Sequence, residues 1–498
     1  MTALITASML YDLVHCPHRV WLDLYGDDSK RDPVSSFVQM LWERGSLHEK
    51  DIIDGANVEY TDLSTLSGKA KEEATIEAIQ RGDSLIYSGR LQVDDLLGIP
   101  DLLRKEADGY VAGDIKSGAA LEGSSDLEDG KPKDHYAVQL AFYTDILERL
   151  NISSGERNPF IWDVHRSEVR YHLNEARGVR NTETWWDLYK ETLESAETIT
   201  GQQSETRPAY SSTCKQCHWY SSCKHEVLDS GDLTMIYRLG RNIRDRMVSH
   251  IPTIHHMATC NINDYIQGKK TIFFRVGPPS LEKFQARAKL LIDPDVKPYL
   301  TEPVTFPQVE TELFYDVETD PFEDICYLHG FVERIKGNPD KERYVAFTAD
   351  EPTSEAEEKA FREIWKYIQS SRPCAIYFYS KYERTTLMKL ADKYPDITTV
   401  DTVEALFGHE YVIDLLEVVE KKTEWPCIDR SIKTLATYLG FKWRDENPSG
   451  AASIEWYHNW VESGDVAIRQ RILEYNEDDC VAMRVLLDEL IKMNKDMS

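Results

Sequence analysis

The sequence predicts an α/β protein built from several domains. Three observations lead there. At 498 residues the chain is long enough for about two to four domains, each with its own core. Hydrophobic residues make up 41% and charged residues 29%, the balance of a globular chain. Strand-like and helix-like patterns alternate over residues 1–200 and again from 311 onward, with a helical stretch between.

The elements follow in order. Met9, Leu10, Leu13, Val14 and Trp21 recur with helical spacing and predict a first helix ending near Gly26. A second helix carries Phe37, Leu41, Leu47 and Ile52. SLIYSG, RLQVDDLLG, IPDLL and YVAGDIK read as short strands. A helix spans roughly 134–150, and FIWDV and VRYHL add two strands. The helix WWDLYKETLESAETI leads into the polar loop GQQSETRPAYSST. Residues 230–300 read as helical, and DPDVKPYLTEPVTFPQ marks their exit. ELFYDVET, ICYLHGFVE and RYVAFTA then read as a three-strand meander, CAIYFYS as a further strand, and roughly 465–492 as a long final helix. Two acidic loops, AALEGSSDLEDGKP and RDENPSGAAS, are expected to be mobile.

No apolar run approaches the ~20 residues of a membrane span. The opening MTALITASMLYDLVHC lacks the basic start of a secretory signal. The expectation is a cytoplasmic protein without membrane contact, whose nine cysteines are not disulfide-bonded. A net charge of −28 argues against broad non-specific binding to nucleic acid. One segment runs the other way. Residues 237–291 hold ten basic side chains, among them Arg238, Arg241, Arg244, Lys269, Lys270 and Arg275, against Asp245, Asp264 and Glu282. That local +7 is either a surface for a phosphate backbone or a solvated helix face.

Asp101 ends one strand-like run, and Asp114 and Lys116 lie two apart on another, on one face. Two carboxylates on adjacent strands can hold a divalent metal, and a lysine beside them can serve a developing phosphorane charge. Pro100-Asp101 with Asp114-Ile-Lys116 resembles the PD-(D/E)xK nuclease signature, in its RecB-like branch. The branch also carries an upstream histidine, here in Gly45-Ser-Leu-His48, and a Gln-x-x-x-Tyr helix, here Gln139 and Tyr143. The resemblance implies a restriction-endonuclease-like core. In it His48, Asp101 and Asp114 would bind Mg2+ or Mn2+, Lys116 would be catalytic, and Gln139 and Tyr143 would position substrate.

CKQCHWYSSC carries Cys214, Cys217 and Cys223, one ligand short of a tetrahedral site. CKQCH matches the haem attachment string, but that chemistry occurs outside the cytoplasm. A zinc site could add His218 or His225. The third reading rests on resemblance. One subset of RecB-like nucleases places one cysteine before the core and C-x-x-C-x5-C after it, and its four thiolates hold a 4Fe–4S cluster. Cys16, in HCPHRVW of the first helix, would be the fourth ligand. Such a clasp closes a loop of about 200 residues, worth ~4–5 kcal/mol by chain entropy. Cys260, Cys326, Cys374, Cys427 and Cys480 are isolated and read as core thiols.

A second carboxylate group lies in the last third. LFYDVET puts Asp316 and Glu318 on one strand face, and YNEDD puts Tyr475 and Asp479 on one helix face. Glu383 opens a helix, and Asp414 follows in VIDLL. Acids converging from distant segments are the logic of two-metal phosphoryl chemistry. These motifs resemble ribonuclease-H-fold exonucleases of the DEDD type, in the YprB-like branch. The resemblance implies that Asp316, Glu318, Glu383 and Asp479 bind metal and that Tyr475 orients the attacking water. Glu383 departs from the family, which has aspartate there in many members. Between the two regions, the segments around Gly240 and Gly277 resemble helix-hairpin-helix units, without the usual second glycine.

In this order the parts resemble the RecB-like nuclease family with a YprB-type C-terminal domain. The implied domains are 1–228 (nuclease with cysteine clasp), 229–300 (basic helical linker) and 301–498 (ribonuclease-H-like exonuclease). The implied function is metal-dependent cleavage of single-stranded or frayed DNA, with a second, 3′ exonuclease-type site, in repair, recombination or defence. No G-x-x-x-x-G-K-[ST] string is present, so any helicase would be a separate partner. An RNA substrate and a nucleic-acid-binding scaffold with vestigial sites are the alternatives.

Overall fold

Apolar alternation in 85–115 and 160–162 builds the sheet that positions the first site. The computed structural model describes residues 3–34, 36–56, 58–123, 130–164, 166–178, 181–336, 338–446 and 448–496. The side chains of Phe37, Leu41 and Leu47, and the loop residues 124–129, lie outside them. The chain divides into two compact units, Met1–Glu226 and Val227–Ser498.

In the first unit Leu102–Glu106 and Gly109–Ile115 form an antiparallel pair with Leu102 opposite Gly113. Phe160–Trp162 joins on the other side, parallel, with Ile161 opposite Asp114. Leu85–Tyr87, Thr61–Asp62 and Glu168–Arg170 complete six strands. Side chains alternate between two cores. Leu103, Tyr110, Ala112 and Ile161 pack with helices Ala7–His15, Asp134–Arg149 and Trp185–Thr200. Leu102, Val111, Ile115 and Phe160 pack with Ile52 and Ile53 of helix Ser36–Gly55. Gly113 is required, because a Cβ there would lie 2.4 Å from the Phe160 ring.

Two expectations are corrected. The first helix is two, Ala7–His15 and Pro17–Tyr25. Pro17 forces Cys16 into extended backbone (φ −159°, ψ 102°), so the cysteine sits at a break and not within a helix. RLQVDDLLG is a hairpin, Leu91–Val93 against Leu96–Gly98, turning at Asp94 in a left-handed conformation (φ 53°). Ile5–Thr6 pairs with its second strand.

In the second unit Thr311–Asp320, Ile325–Ile335 and Asn338–Thr348 form the antiparallel meander, and Cys374–Phe378 and Val412–Asp414 add in parallel beyond Thr311–Asp320. Asp316 faces Gly330 across the pair, and the register shifts just after Glu318. The final helix, Val466–Asp496, buries Ile472, Tyr475, Asp479, Met483 and Leu486 at helical spacing. Segment 229–300 lies within this unit. Its helices Arg241–Met247, Ile254–Thr259 and Pro278–Ile292 share an apolar core. Buried Arg287 pairs with Glu424 through two bonds of 2.7 and 2.8 Å. The helical reading of this segment omitted one hairpin, Ile266–Gln267 with Lys270–Thr271, which turns through Gly268 at φ 63°. Among the described residues no helix is long and apolar enough to cross a membrane.

Candidate active sites

Strand alternation puts Asp114 and then Lys116 on the face under helix Asp134–Arg149. Asp101 joins them through sheet pairing, its carboxylate accepting the Ile115 N–H at 2.8 Å. Asp114 is 2% exposed and forms an ion pair with Lys116. Burial and then the Asp114 charge push the Asp101 carboxyl well above its ordinary range. Burial alone would lower the Lys116 ammonium, but Asp114 and Asp101 outweigh it and hold it above the usual lysine range. Lys116 Nζ donates to Gln139 Oε1 (3.0 Å), Gln139 Nε2 to Tyr143 OH (3.3 Å), and Tyr143 OH to the Ile99 carbonyl (3.2 Å). A relay anchored on the backbone therefore fixes the lysine. His48 Nε2 is buried without a hydrogen-bond partner, which fits a metal ligand. Glu49 was missed by the sequence reading. Burial and then the Asp114 charge raise its carboxyl, so it too senses the site.

Cys16, Cys214, Cys217 and Cys223 are half-buried, Cys214 in the turn Ser212–Gln216 and Cys223 in helix Tyr220–Ser230. Their thiols feel one another. Burial, then Cys16, Cys217 and Cys214, push Cys223 up to about 12. Burial chiefly, with Cys16 and Cys214 contributing, also raises Cys217. Protein contacts dock the same loop on helix Pro17–Tyr25. Asp23 Oδ1 lies 2.6 Å from His218 Nε2 and accepts Trp219 Nε1–H at 2.9 Å. Trp219 is 1% exposed, and a Cβ at Gly26 would meet its ring at 2.9 Å. Of the remaining cysteines, Cys326, Cys374, Cys427 and Cys480 are buried and Cys260 is half-buried.

In the second unit the ligand atoms of Asp316, Glu318 and Asp479 all lie within 4.8 Å of one another. Burial first, then Asp479 and Glu318, push the Asp316 carboxyl well above its ordinary range. Burial and then Asp479 push Glu318 up to about 8, and burial raises Asp479. Three acids so placed call for a cation, so the donor set fits a divalent ion. Burial and the same carboxylates keep Tyr475 a neutral hydroxyl.

Three further residues shape this site and were not anticipated. Lys433 Nζ donates to Tyr475 OH at 2.8 Å, and its charge opposes the rise at Asp316, Glu318 and Asp479. Asn476 Nδ2 donates to Asp316 at 2.7 Å while its Oδ1 accepts from Tyr344 at 2.8 Å. Trp443 Nε1 donates to Asp479 at 2.7 Å. Only Asn476 had a sequence signal, its place inside YNEDD. Glu383 stands outside the close triad. It is 3% exposed, with Oε2 buried and unpartnered, and burial raises its carboxyl, with Asp414 and Asp479 contributing. Asp414 caps helix Leu415–Lys422, accepting the N–H groups of Leu416 (2.9 Å), Glu417 (3.3 Å) and Ser380 (3.1 Å).

On the basic segment Arg238, Lys269, Lys270 and Arg275 are exposed, and Arg241 is half-buried. Arg244 is corrected from a surface contact to a core residue. It is 1% exposed and ion-paired with Asp232 at 2.7 Å, because it points inward from helix Arg241–Met247. Gly240 and Gly277 are the N-caps of Arg241–Met247 and Pro278–Ile292.

Residues 18–224 match the family model of the PD-(D/E)XK nuclease superfamily, and residues 313–491 match that of the RNase_H superfamily. No curated protein matches the chain significantly. The first match spans Asp101, Asp114 and Lys116, and the second spans Asp316, Glu318 and Asp479. Nucleases of both superfamilies generally use Mg2+ or Mn2+, in keeping with the acidic triad. The chain is thus a nuclease, a phosphodiester hydrolase in which a PD-(D/E)XK superfamily domain precedes an RNase_H superfamily domain.

Proposed function

We propose that the chain is a DNA nuclease with two separate active sites, arranged as domains 1–228, 229–300 and 301–498. The observation that carries this is a cluster of acids beside an ammonium in each unit, Asp101 and Asp114 with Lys116, and Asp316, Glu318 and Asp479 near Lys433, which Tyr475 holds. His48, Asp101 and Asp114 would hold a divalent ion in the first site, and Asp316, Glu318, Asp479 and Glu383 in the second. When bound, such an ion activates water and neutralises developing phosphate charge. The protein supplies the rest. Lys116, fixed by Gln139, sets a positive charge where the phosphorane charge develops. Tyr475, held by Lys433, offers a neutral hydroxyl to orient the attacking water.

The first site resembles RecB-like nucleases, which supports single-stranded or frayed DNA as substrate. The second resembles DEDD exonucleases, which supports trimming from 3′ ends. Repair, recombination or defence is the setting we infer, with a separate helicase as partner. For the clasp we propose a 4Fe–4S cluster on Cys16, Cys214, Cys217 and Cys223. The engagement of His218 by Asp23 supports this over a zinc site that uses His218. Labelled single-stranded DNA, duplex DNA and RNA, each with and without Mn2+, test the reading. Metal-dependent cleavage of single-stranded DNA is expected. Cleavage of RNA alone would overturn the DNA assignment, and binding without cleavage would favour the scaffold. Anaerobically purified protein is expected to be brown, and colourless protein with stoichiometric zinc would reverse the cluster assignment.

A further inference from the structure

Phe273 and Phe274 are neighbours in sequence and opposites in environment. Phe273 is 3% exposed and packs against Tyr265 and His250, with ring centroids 5.5 and 5.9 Å away. Phe274 is 66% exposed, and among the described residues no Phe, Tyr or Trp is more so. A ring left in water forgoes favourable burial, so its position asks for a partner.

Its surroundings are built. Thr271 Oγ1 accepts the Phe273 N–H at 3.1 Å and donates to the Val276 carbonyl at 2.5 Å, which pins the turn from both ends. Arg246 Nη1 donates to the Phe274 carbonyl at 3.2 Å. The guanidinium carbons of Arg246 and Arg275 lie 5.1 and 5.2 Å from the Phe274 ring centroid. Arg275 holds φ 63°, a left-handed conformation uncommon outside glycine, so the turn is specified and not slack. Lys269 and Lys270 stand exposed on the adjoining hairpin.

We propose that Phe274 is a platform on which an unpaired base of single-stranded nucleic acid stacks, with Arg246, Arg275, Lys269 and Lys270 taking the adjacent phosphates. Charge complementarity selects this occupant. An exposed ring with two guanidiniums over it and two lysines on the adjoining hairpin, in a chain of net −28, matches a polyanion whose bases are exposed. The proposal rests on the reading that the chain acts on nucleic acid. It adds a contact that a phosphate-binding helix-hairpin-helix would not make, one to base faces.

The test uses the full-length protein with magnesium and manganese withheld. Fluorescence anisotropy measures its binding to labelled oligothymidylate and to an abasic strand of equal length. Phe274→Ala is expected to weaken oligothymidylate binding about ten-fold, to leave abasic binding nearly unchanged, and to be rescued by Phe274→Trp. The double variant Arg246→Gln, Arg275→Gln is expected to weaken both strands alike and to flatten the salt dependence. The platform is overturned if Phe274→Ala leaves oligothymidylate binding unchanged or weakens both strands equally. Cleavage of the same oligonucleotide with Mn2+ is measured in parallel. Cleavage by wild type with unaltered binding by Phe274→Ala sinks the platform and leaves the nuclease reading standing. A wild type that neither binds nor cleaves sinks both.

Discussion

Lys116 sits in its place because Asp114 pairs with it and Gln139 accepts from it. Replacing it with alanine removes the cation that pairs with Asp114. Lys116→Ala should lower first-site cleavage about a hundred-fold or more, and the melting temperature should fall because Asp114 is left without its partner. Gly330 shows the same dependence in the second site. A Cβ there would fall 1.6 Å from Asn476 Oδ1, so Gly330→Ala must push Asn476 off Asp316. The expected result is loss of second-site cleavage with first-site cleavage retained, read by site-selective variants on labelled DNA. Glu318 carries a pH signature. Its folded carboxyl, pushed up to about 8 from 4.5, binds a proton more tightly than in the unfolded chain. Its contribution to metal-free stability is present at low pH and is lost as pH rises through that window. A divalent ion takes the proton's place, so stabilisation by Mn2+ in thermal melts should grow from about pH 5 to about pH 8. Stabilisation independent of pH would contradict this. The carboxylates were legible because D-x-K, D-x-E and Y-x-x-x-D are local patterns. Glu49, Lys433 and Trp443 were not, because their roles come from packing between segments far apart in sequence.

At the scale of elements, proline and pairing decided where the sequence misled. Helical spacing ran through residues 9–21 unbroken, but Pro17 breaks it and leaves Cys16 at the junction. The alternation in RLQVDDLLG could not reveal a turn at Asp94, which only cross-strand pairing specifies. The meander and final helix were legible because long, strongly patterned elements outweigh local ambiguity. The proposed four-cysteine clasp would join the ends of the first unit. On that proposal, changing Cys16 or Cys223 to serine would remove a cross-link over about 200 residues, with a loss on the order of 4–5 kcal/mol. Thermal melting should show the first transition lowered, while Cys260→Ser leaves it in place. Equal melting for Cys16→Ser and wild type would show that Asp23, His218 and Trp219 hold the loop without the thiols.

For the whole molecule, two nuclease-related superfamily matches lie on separate stretches of one chain. Each unit carries its own acids and its own ammonium, so the activities should separate by mutation. The most direct measurement follows Mn2+-dependent cleavage of labelled single-stranded DNA by four proteins. They are wild type, Asp114→Asn with Lys116→Ala, Asp316→Asn, and the combination of all three substitutions. Each single-site variant is expected to retain part of the activity with its own product pattern, and the combined variant none. Cleavage by the combined variant with the wild-type pattern would contradict the assignment of both sites.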